Sequence, residues 1–459
     1  MKIRGGCLSA RRVMKRIGIL TAGGDTPALN ATLHGAASRA NELKIELVGL
    51  LGGFNAFFDP RTPHVCLNPL FETIPELDST VGGTVLGSSR RYLDVTNHEA
   101  IAGAEERVKR LGLDGLICIG GDGTINGMQA LCNIVPSVLA PKTIDNDLGL
   151  NYPGEAEGVL GSSAPGNFDI SRMINYATPG YATAVYVATW GIRRVRTTAE
   201  SHHRIAIVEV MGRHSGYIAL GAAYGQPDII LLPEQPVDME ALVERVCNIY
   251  TQQKNVVIVI GEGIVNAKGE ELGASHATTD PSGNTILQGA AEALRTQLVE
   301  LIGDVFFQQT GRVDTAARAI FTRKVGHTQR GGRPLKFDRY QGSQLGGHAL
   351  DMIVGGESNS FASLQWNESE GFKVQSAETK LLRGKDGVIH ARRVDSSFYD
   401  SERLHISQTG IRYLVPIFSD AIGAGDVEQI RHSLFDSGNL QDEYRSISVA
   451  MERRTETLD

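Results

Sequence analysis

The stretch from Leu113 to Leu148 constrains the chain more than any other. Its opening run, Leu113-Asp-Gly-Leu-Ile-Cys-Ile119, is short, apolar and β-branched, the pattern of a strand buried in a parallel sheet. The run breaks into Gly120-Gly121-Asp122-Gly123-Thr124, and a helical pattern follows from Ile125 to about Cys132. Glycines at a strand-to-helix turn let backbone approach a ligand, and the helix N-terminus offers free N–H groups at the positive end of its dipole. The loop therefore reads as a phosphate cradle. Asp122 inside it would repel a phosphate unless a divalent cation lay between them, so the loop implies Mg2+ together with a polyphosphate. A strand over Ser137 to Ala140 then delivers Pro141-Lys142-Thr143-Ile144-Asp145-Asn146-Asp147. Such a density of ionisable groups beside a strand end is costly unless it does chemistry. Alone, GGDGT is equally a turn with a helix cap, and TIDND is more often an Asx-turn and cap than a site; together, each after a strand, they are a far rarer coincidence.

The same grammar recurs along the chain. Arg16 to Ala22 is a second buried strand, ending in Gly23-Gly24-Asp25-Thr26-Pro27 before a helix from about Ala28 to Asn41. Pro27 suits the first helical turn, where its missing N–H costs nothing. A strand over Glu46 to Leu51 precedes the loop Gly82 to Arg91, whose Gly/Ser backbone and adjacent Arg90 and Arg91 make a reasonable anion site. Later come a helix from Ala182 to Thr198, a strand ending at Met211-Gly212-Arg213, and strands over Asp228 to Leu232 and Asn255 to Ile260. Helices over Met239 to Gln252 and Gln288 to Leu301 alternate with them. Neighbouring His202 and His203 would point to opposite faces of a strand, which disfavours a shared metal. Strand alternating with helix throughout predicts an α/β fold of open, mostly parallel sheets with ligands at the strand C-termini. Neither strand-to-helix turn carries GxGxxG, which argues against a dinucleotide-dependent dehydrogenase.

A length of 459 residues allows two or three domains. The net charge of −7 leaves no basic footprint for nucleic acid, and no apolar run approaches the length of a membrane span. Five cysteines without CxxC spacing fit a reducing cytoplasm and no zinc site. The basic start lacks an apolar h-region, so 1–14 reads as a flexible leader. Gly149 to Arg172 is a Gly/Pro/Ser-rich excursion, and Ala267 to Asn284 a polar loop. Beyond Gly384 the chain is charged and irregular, with a strand expected at Gly410 to Ile417 and a helix at Val427 to Leu434.

In order, AGGDTPALN (Ala22 to Asn30), GGTVLGSSR (Gly82 to Arg90), GGDGT, TIDND, MGR and GHTQRGG (Gly326 to Gly332) resemble the hallmark segments of the 6-phosphofructokinases, over roughly Lys15 to Arg383. The resemblance implies two doubly wound Rossmann-like domains with the active site in the cleft between them. It divides the chain into a donor and Mg2+-binding domain (15–148), an insertion (149–173), a sugar-phosphate domain (174–328), a return segment completing the core (329–383), and an extension without assigned role (384–459). It implies that Asp145 accepts the proton of the C1 hydroxyl of fructose 6-phosphate. Thr143 would bond the phosphoryl group in flight, Arg213 would stabilise its charge, and Asp122 with Asp147 would hold Mg2+. The donor would meet Gly23, Arg90, Arg91, Gly121, Asp122, Gly123, Thr124 and Lys142. The sugar phosphate would meet Thr143, Ile144, Asp145, Arg204, Met211, Gly212, Arg213, Glu262, His327, Thr328, Gln329 and Arg330.

One departure stands out: where the family carries an arginine six residues before the histidine of GHxQRGG, this chain has Phe321, and Arg323 is the expected substitute. The arginine matched by Arg204 serves a neighbouring subunit in the family, which implies a homodimer or homotetramer. Two positions sort donors there: pyrophosphate users pair Asp with Lys, and many ATP users pair Gly with Gly. This chain has Gly123 with Lys142. An Asp at 123 would crowd a nucleotide while Lys142 excludes neither donor, so Mg-ATP is expected, with pyrophosphate the alternative. NAD kinases and diacylglycerol kinases share GGDGT, but MGR, TIDND and GHTQRGG point away from them. A sugar-phosphate binder with a purely regulatory role would not need Asp145.

Overall fold

A computed structural model describes residues 15–458 apart from 60, 95, 156–167, 274–277, 280–284, 287–288, 313–314 and 436–445. The leader expected over 1–14 and the middle of the 149–173 excursion lie outside the described residues. No described helix is long and apolar enough to cross a membrane.

The apolar runs are strands because each is buried on both faces. β1 (Arg16–Thr21) leads into α1 (Leu29–Leu43), followed by β2 (Glu46–Leu50) and β3 (His64–Cys66). Helix α2 (His98–Leu111) starts where Asn97 Oδ1 accepts the Ala100 N–H at 3.0 Å and stops at Gly112, with φ 64°. That is a side-chain N-cap and a left-handed C-cap, which between them satisfy end groups the helix cannot. β4 (Gly115–Gly120) is wholly buried, α3 (Asp122–Cys132) follows without a break, and β5 (Ser137–Pro141) closes this half.

The second half runs α4 (Tyr181–Ser201), β6 (Ile205–Val210), α5 (Tyr217–Gly221), β7 (Ile229–Leu231), α6 (Met239–Gln253) and β8 (Val256–Gly261). A short pair, β9 (Thr278–Thr279) and β10 (Thr285–Ile286), precedes α7 (Ala290–Gln309), α8 (Ala316–Ala319) and β11 (Ile320–Lys324). The chain then returns: α9 (Lys336–Val354) packs along α1, and the hairpin β12 (Ser360–Asn367) and β13 (Gly371–Glu378) joins the first sheet, β12 running parallel to β5.

The two large sheets of the described residues are ordered β13-β12-β5-β4-β1-β2-β3 and β11-β6-β8-β7. The first is parallel from β12 to β2 with antiparallel edge strands; the second is parallel throughout. From β1 the chain passes to β2 on one side, while β4 and β5 lie on the other. The crevice at such a switch point, outside the strand C-termini, is where doubly wound sheets bind ligands.

The last segment carries β14 (Tyr399–Asp400), β15 (His405–Ile406), α10 (Gln408–Phe418), α11 (Ala424–Phe435) and α12 (Ile447–Glu452). The strand expected at Gly410 to Ile417 is therefore a helix. Apolar residues at 411, 413, 415 and 417 mimic strand alternation, yet Thr409, Gly410, Tyr413, Leu414 and Ile417 are the buried set, a helical period, while Ile411 and Val415 face out. Ser407 Oγ, accepting the Gly410 N–H at 3.1 Å, starts that helix.

Backbone meets backbone where α1 crosses α9. A Cβ on Gly35 would lie 2.0 Å from the Ser343 carbonyl oxygen, and one on Gly346 2.0 Å from that of Thr32. Neither neighbour is a side chain that can swing aside. Gly35→Val is expected to cost about 1–3 kcal/mol of stability through overpacking, read as a lower urea midpoint. An unchanged midpoint would mean that the two helices separate freely.

Candidate active site

Glycine geometry builds the first wall. At Gly121 the chain turns from β4 into α3 with extended backbone, so the helix begins at the carboxylate-bearing Asp122 itself. A Cβ on Gly120 would fall 1.9 Å from Thr124 Oγ1, which only a missing side chain permits. Where a Cβ of Gly123 would stand, nothing lies within 4 Å. The Gly82–Arg91 loop docks beside this cradle: the Gly23 N–H donates to the Ser89 carbonyl at 2.9 Å, and Ser88 Oγ to the Gly23 carbonyl at 2.7 Å. Asn30 ties the loop from behind, accepting the Val85 N–H at 2.8 Å and donating to the Val81 carbonyl at 3.1 Å.

The TIDND turn leaves β5 and faces the cradle. The Lys142 N–H donates to the Gly120 carbonyl at 3.0 Å, carrying the sheet register to the end of the strand. Lys142 Nζ then reaches across to the Gly24 carbonyl. Thr178 Oγ1 donates to the Thr143 carbonyl at 2.7 Å, and the Asp145 N–H donates to Thr143 Oγ1 at 3.1 Å. Between the carboxylates sits Asn146, buried and at φ 54°. For a residue with a side chain that conformation costs roughly 1–2 kcal/mol, and Asn is one of the few types that adopt it.

The second sheet supplies the opposite wall. β6 ends just before Met211, Gly212 and Arg213; β8 ends before Glu262; β11 ends at Lys324 and leads to His327 and Arg330. Together the two strand edges enclose a cleft of about 960 Å³. Gly23, Arg90, Arg91, Gly121, Asp122, Gly123, Thr124, Lys142, Thr143, Asp145, Asp147, Met211, Arg213, Glu262, His327 and Arg330 all line it. That is room for two phosphate compounds side by side.

The remaining expected residues do not line the cleft. Ile144 is fully buried in the core beneath the turn. Gly212, at φ 117°, makes the bend after β6, where a Cβ would strike the Ser215 carbonyl. Gln329 is a buried brace, accepting the Met211 N–H at 2.9 Å and donating to the Ala184 carbonyl at 3.3 Å. Thr328 Oγ1 donates to the Val325 carbonyl at 2.6 Å. Arg204 and Arg323 flank the Phe321 ring, their guanidinium carbons 6.0 and 5.4 Å from its centre. Sequence reasoning missed Lys324, which lines the cleft and places Nζ 2.7 Å from Glu209 Oε1. The signal was strand alternation: 321 and 323 share one face of β11, and 324 takes the other. His214 was missed too; it follows Arg213 into the cleft, and burial lowers its pKa.

Burial sets the electrostatics. It pushes the Asp122 carboxyl well above the usual carboxylate range, and the Asp147 charge adds to this, while the Gly149 N–H and Arg392 oppose it. Burial and then Asp147 push Asp145 up to about 7, against Arg330 and Lys142. Glu262 is raised by burial despite Lys324. Lys142 is lowered to about 7 by burial and then by Arg330. No group of three or more His, Cys, Asp or Glu side chains converges on a metal position among the described residues. Asp122 and Asp147, two carboxylates beside a phosphate cradle, the charge of Asp147 raising the cost of ionising Asp122, do fit Mg2+. That ion is commonly held by one or two carboxylates, with substrate phosphates and water completing its shell.

A glycine cradle and a carboxylate turn on one mostly parallel sheet, facing arginines and Glu262 on another, form the layout of an enzyme that moves a phosphoryl group between two bound phosphate compounds. More narrowly, the chain belongs to the phosphofructokinase family, whose model matches residues 16–152 and 169–353. It is 32% identical over 394 residues to a pyrophosphate–fructose 6-phosphate 1-phosphotransferase of Dictyoglomus thermophilum, covering 84% of this chain and 97% of that one. It is 34% identical over 371 residues to an ATP-dependent 6-phosphofructokinase of Streptomyces coelicolor, covering 80% and 95%. Among solved structures, a pyrophosphate-dependent phosphofructokinase from Marinobacter aquaeolei superposes with a TM-score of 0.67 at 19% identity, over 89% of this chain and 92% of that one. That likeness shows the shared fold. Relatives using either donor stand at similar identity.

Lys142 gives the site a pH dependence. With its pKa lowered to about 7, its charge is present below that pH and lost above it in the ligand-free protein. Affinity for a non-hydrolysable ATP analogue, measured by calorimetry, is expected to fall as pH rises through this range. Lys142→Met should bind more weakly and without that fall. An identical pH profile in parent and variant would mean that Lys142 does not meet the donor.

Proposed function

We propose that this family member is a 6-phosphofructokinase that transfers a phosphoryl group from Mg-ATP to the C1 hydroxyl of fructose 6-phosphate, giving fructose 1,6-bisphosphate. The observation that carries the reading is Asp145. Its Oδ1 is buried without a hydrogen-bond partner among the described residues, it faces the cleft between cradle and second sheet, and its carboxyl is pushed up to about 7. A carboxylate of that kind is matched to taking a hydroxyl proton near neutral pH.

The other roles follow from position. Thr143, on the same turn, bonds the phosphoryl group as it crosses, and Arg213 from β6 meets its developing charge. Glu262 accepts hydrogen bonds from sugar hydroxyls, while His327 and Arg330 approach the sugar phosphate. Asp122 and Asp147 would hold Mg2+, which when bound neutralises donor phosphate charge. Arg204 and Arg323 sit together beside Phe321, away from their own cleft. That placement supports their serving the sugar phosphate of a neighbouring subunit in a homodimer or homotetramer.

Open space at Gly123 supports ATP, because a nucleotide needs room past its second phosphate and no side chain fills it. Lys142 favours the alternative, pyrophosphate: its ammonium is held at the Gly23–Gly24 turn, where the shorter donor would also need it.

A coupled assay for fructose 1,6-bisphosphate, run with both donors side by side, tests the reading. Robust turnover with ATP and little with pyrophosphate is expected, and Gly123→Asp should depress ATP use far more than any pyrophosphate use. The reverse donor preference in the unmodified protein would overturn the choice of donor. Asp145→Asn should keep the fold and lose about 10²-fold or more in turnover. Near-normal turnover in that folded variant would remove Asp145 as the base.

A further inference from the structure

The segment after residue 383 lies beyond the family match, which ends at residue 353, yet it reaches the catalytic turn. Arg392 is the largest fully buried side chain among the described residues, 1% exposed. Its backbone N–H donates to the Asp147 carbonyl at 2.6 Å. Its Nε and Nη2 donate to the Asn146 carbonyl at 2.9 and 2.6 Å, and Nη1 to the Asn175 carbonyl. The guanidinium lies over the Tyr217 ring, 4.7 Å from its centre. Among the described residues, no carboxylate lies within ion-pair distance of it. A permanent cation is thus buried against the back of the turn that carries Asp145 and Asp147.

Tyr413 completes the grip. Its hydroxyl accepts from Asn146 Nδ2 at 2.5 Å and donates to the Tyr176 carbonyl at 3.0 Å. Its ring stacks on Phe398 at 15° with centres 4.9 Å apart. On its other side, Asn146 Oδ1 accepts the Thr178 N–H at 3.0 Å. Every polar group of the Asn146 side chain and its carbonyl is therefore engaged, which is what a left-handed residue needs to persist. Because Asn146 stands between them, its backbone orientation sets where both the Asp145 and Asp147 carboxylates point. We propose that Arg392 and Tyr413 are positioning residues for the phosphoryl transfer, holding Asn146 left-handed so that Asp145 and Asp147 face the cleft. A planar fork that bonds one carbonyl twice and a second carbonyl once is something a lysine cannot reproduce.

The inference rests on the phosphofructokinase reading, and its test separates the two. Steady-state kcat and KM for fructose 6-phosphate are measured for the parent, Arg392→Met, Arg392→Lys and Tyr413→Phe, with folding checked by circular dichroism. Misplacing a reacting group by about 1 Å can cost on the order of 10²-fold, so kcat should fall about 10–100-fold in Arg392→Met with KM within about threefold. Arg392→Lys should recover part of the loss, and Tyr413→Phe should lose about 3–10-fold in kcat alone. A folded Arg392→Met with kcat within about threefold of the parent would overturn the inference, as would a rise in KM at constant kcat. If Arg392→Met does not fold, Tyr413→Phe decides by the same split. A parent that makes no fructose 1,6-bisphosphate with either donor would overturn the functional reading, and the inference with it.

Discussion

Like charge in a confined space is the constraint on which the structure turns. Asp122, Asp145 and Asp147 share one cleft, and Asp147 raises the cost of ionising both of the others. Burial alone favours neutral carboxyls, which can neither hold a cation nor take a proton. The opposing charges come from distant parts of the chain: Lys142 just past β5, Arg330 past β11, and Arg392 in the last segment. No single βα unit holds such a set. Two sheets whose C-terminal edges face each other do, because the parallel strands of both then end at the same crevice.

The segment after residue 383 belongs to that arrangement. Besides Arg392 and Tyr413 on the TIDND turn, Asp426 gathers the return segment, with Arg339 Nη1 at 3.1 Å, Arg333 Nε at 3.4 Å and the Lys336 N–H at 3.2 Å. Glu234, after β7, accepts both the Val394 N–H and the Gly216 N–H at 2.8 Å, tying the segment to the bend that carries Arg213. Three stretches that line the cleft are thus fastened to one another through residues outside it.

The legible parts of the sequence were those where one physical rule acts alone. Doubly buried strands such as β4 and β8 are continuous apolar runs, so they were readable to within a residue or two. Glycine loops with a carboxylate have few structural uses, so the cradle and the turn facing it were readable as well. α10 was not, because alternate apolar residues at 411, 413, 415 and 417 satisfied the strand rule while burial follows a helical one. Lys324 and Arg323 could not be separated by composition, and only the face of β11 assigns one to the cleft and the other to the Phe321 ring. Arg392 carries no local signal whatever. Its partners, Asn146 and Asn175, lie more than two hundred residues away, and the first of two adjacent arginines in an irregular stretch reads as surface.

On the proposed function, the acceptor hydroxyl meets Asp145 in the space between the two sheets. A crystal structure of the protein with fructose 6-phosphate and a non-hydrolysable donor analogue measures this directly. The account predicts the C1 hydroxyl within hydrogen-bond reach of Asp145 and the donor phosphates at the backbone of Gly121 to Thr124. A sugar phosphate bound with its C1 hydroxyl turned away from Asp145, or donor phosphates seated outside the cradle, would contradict it.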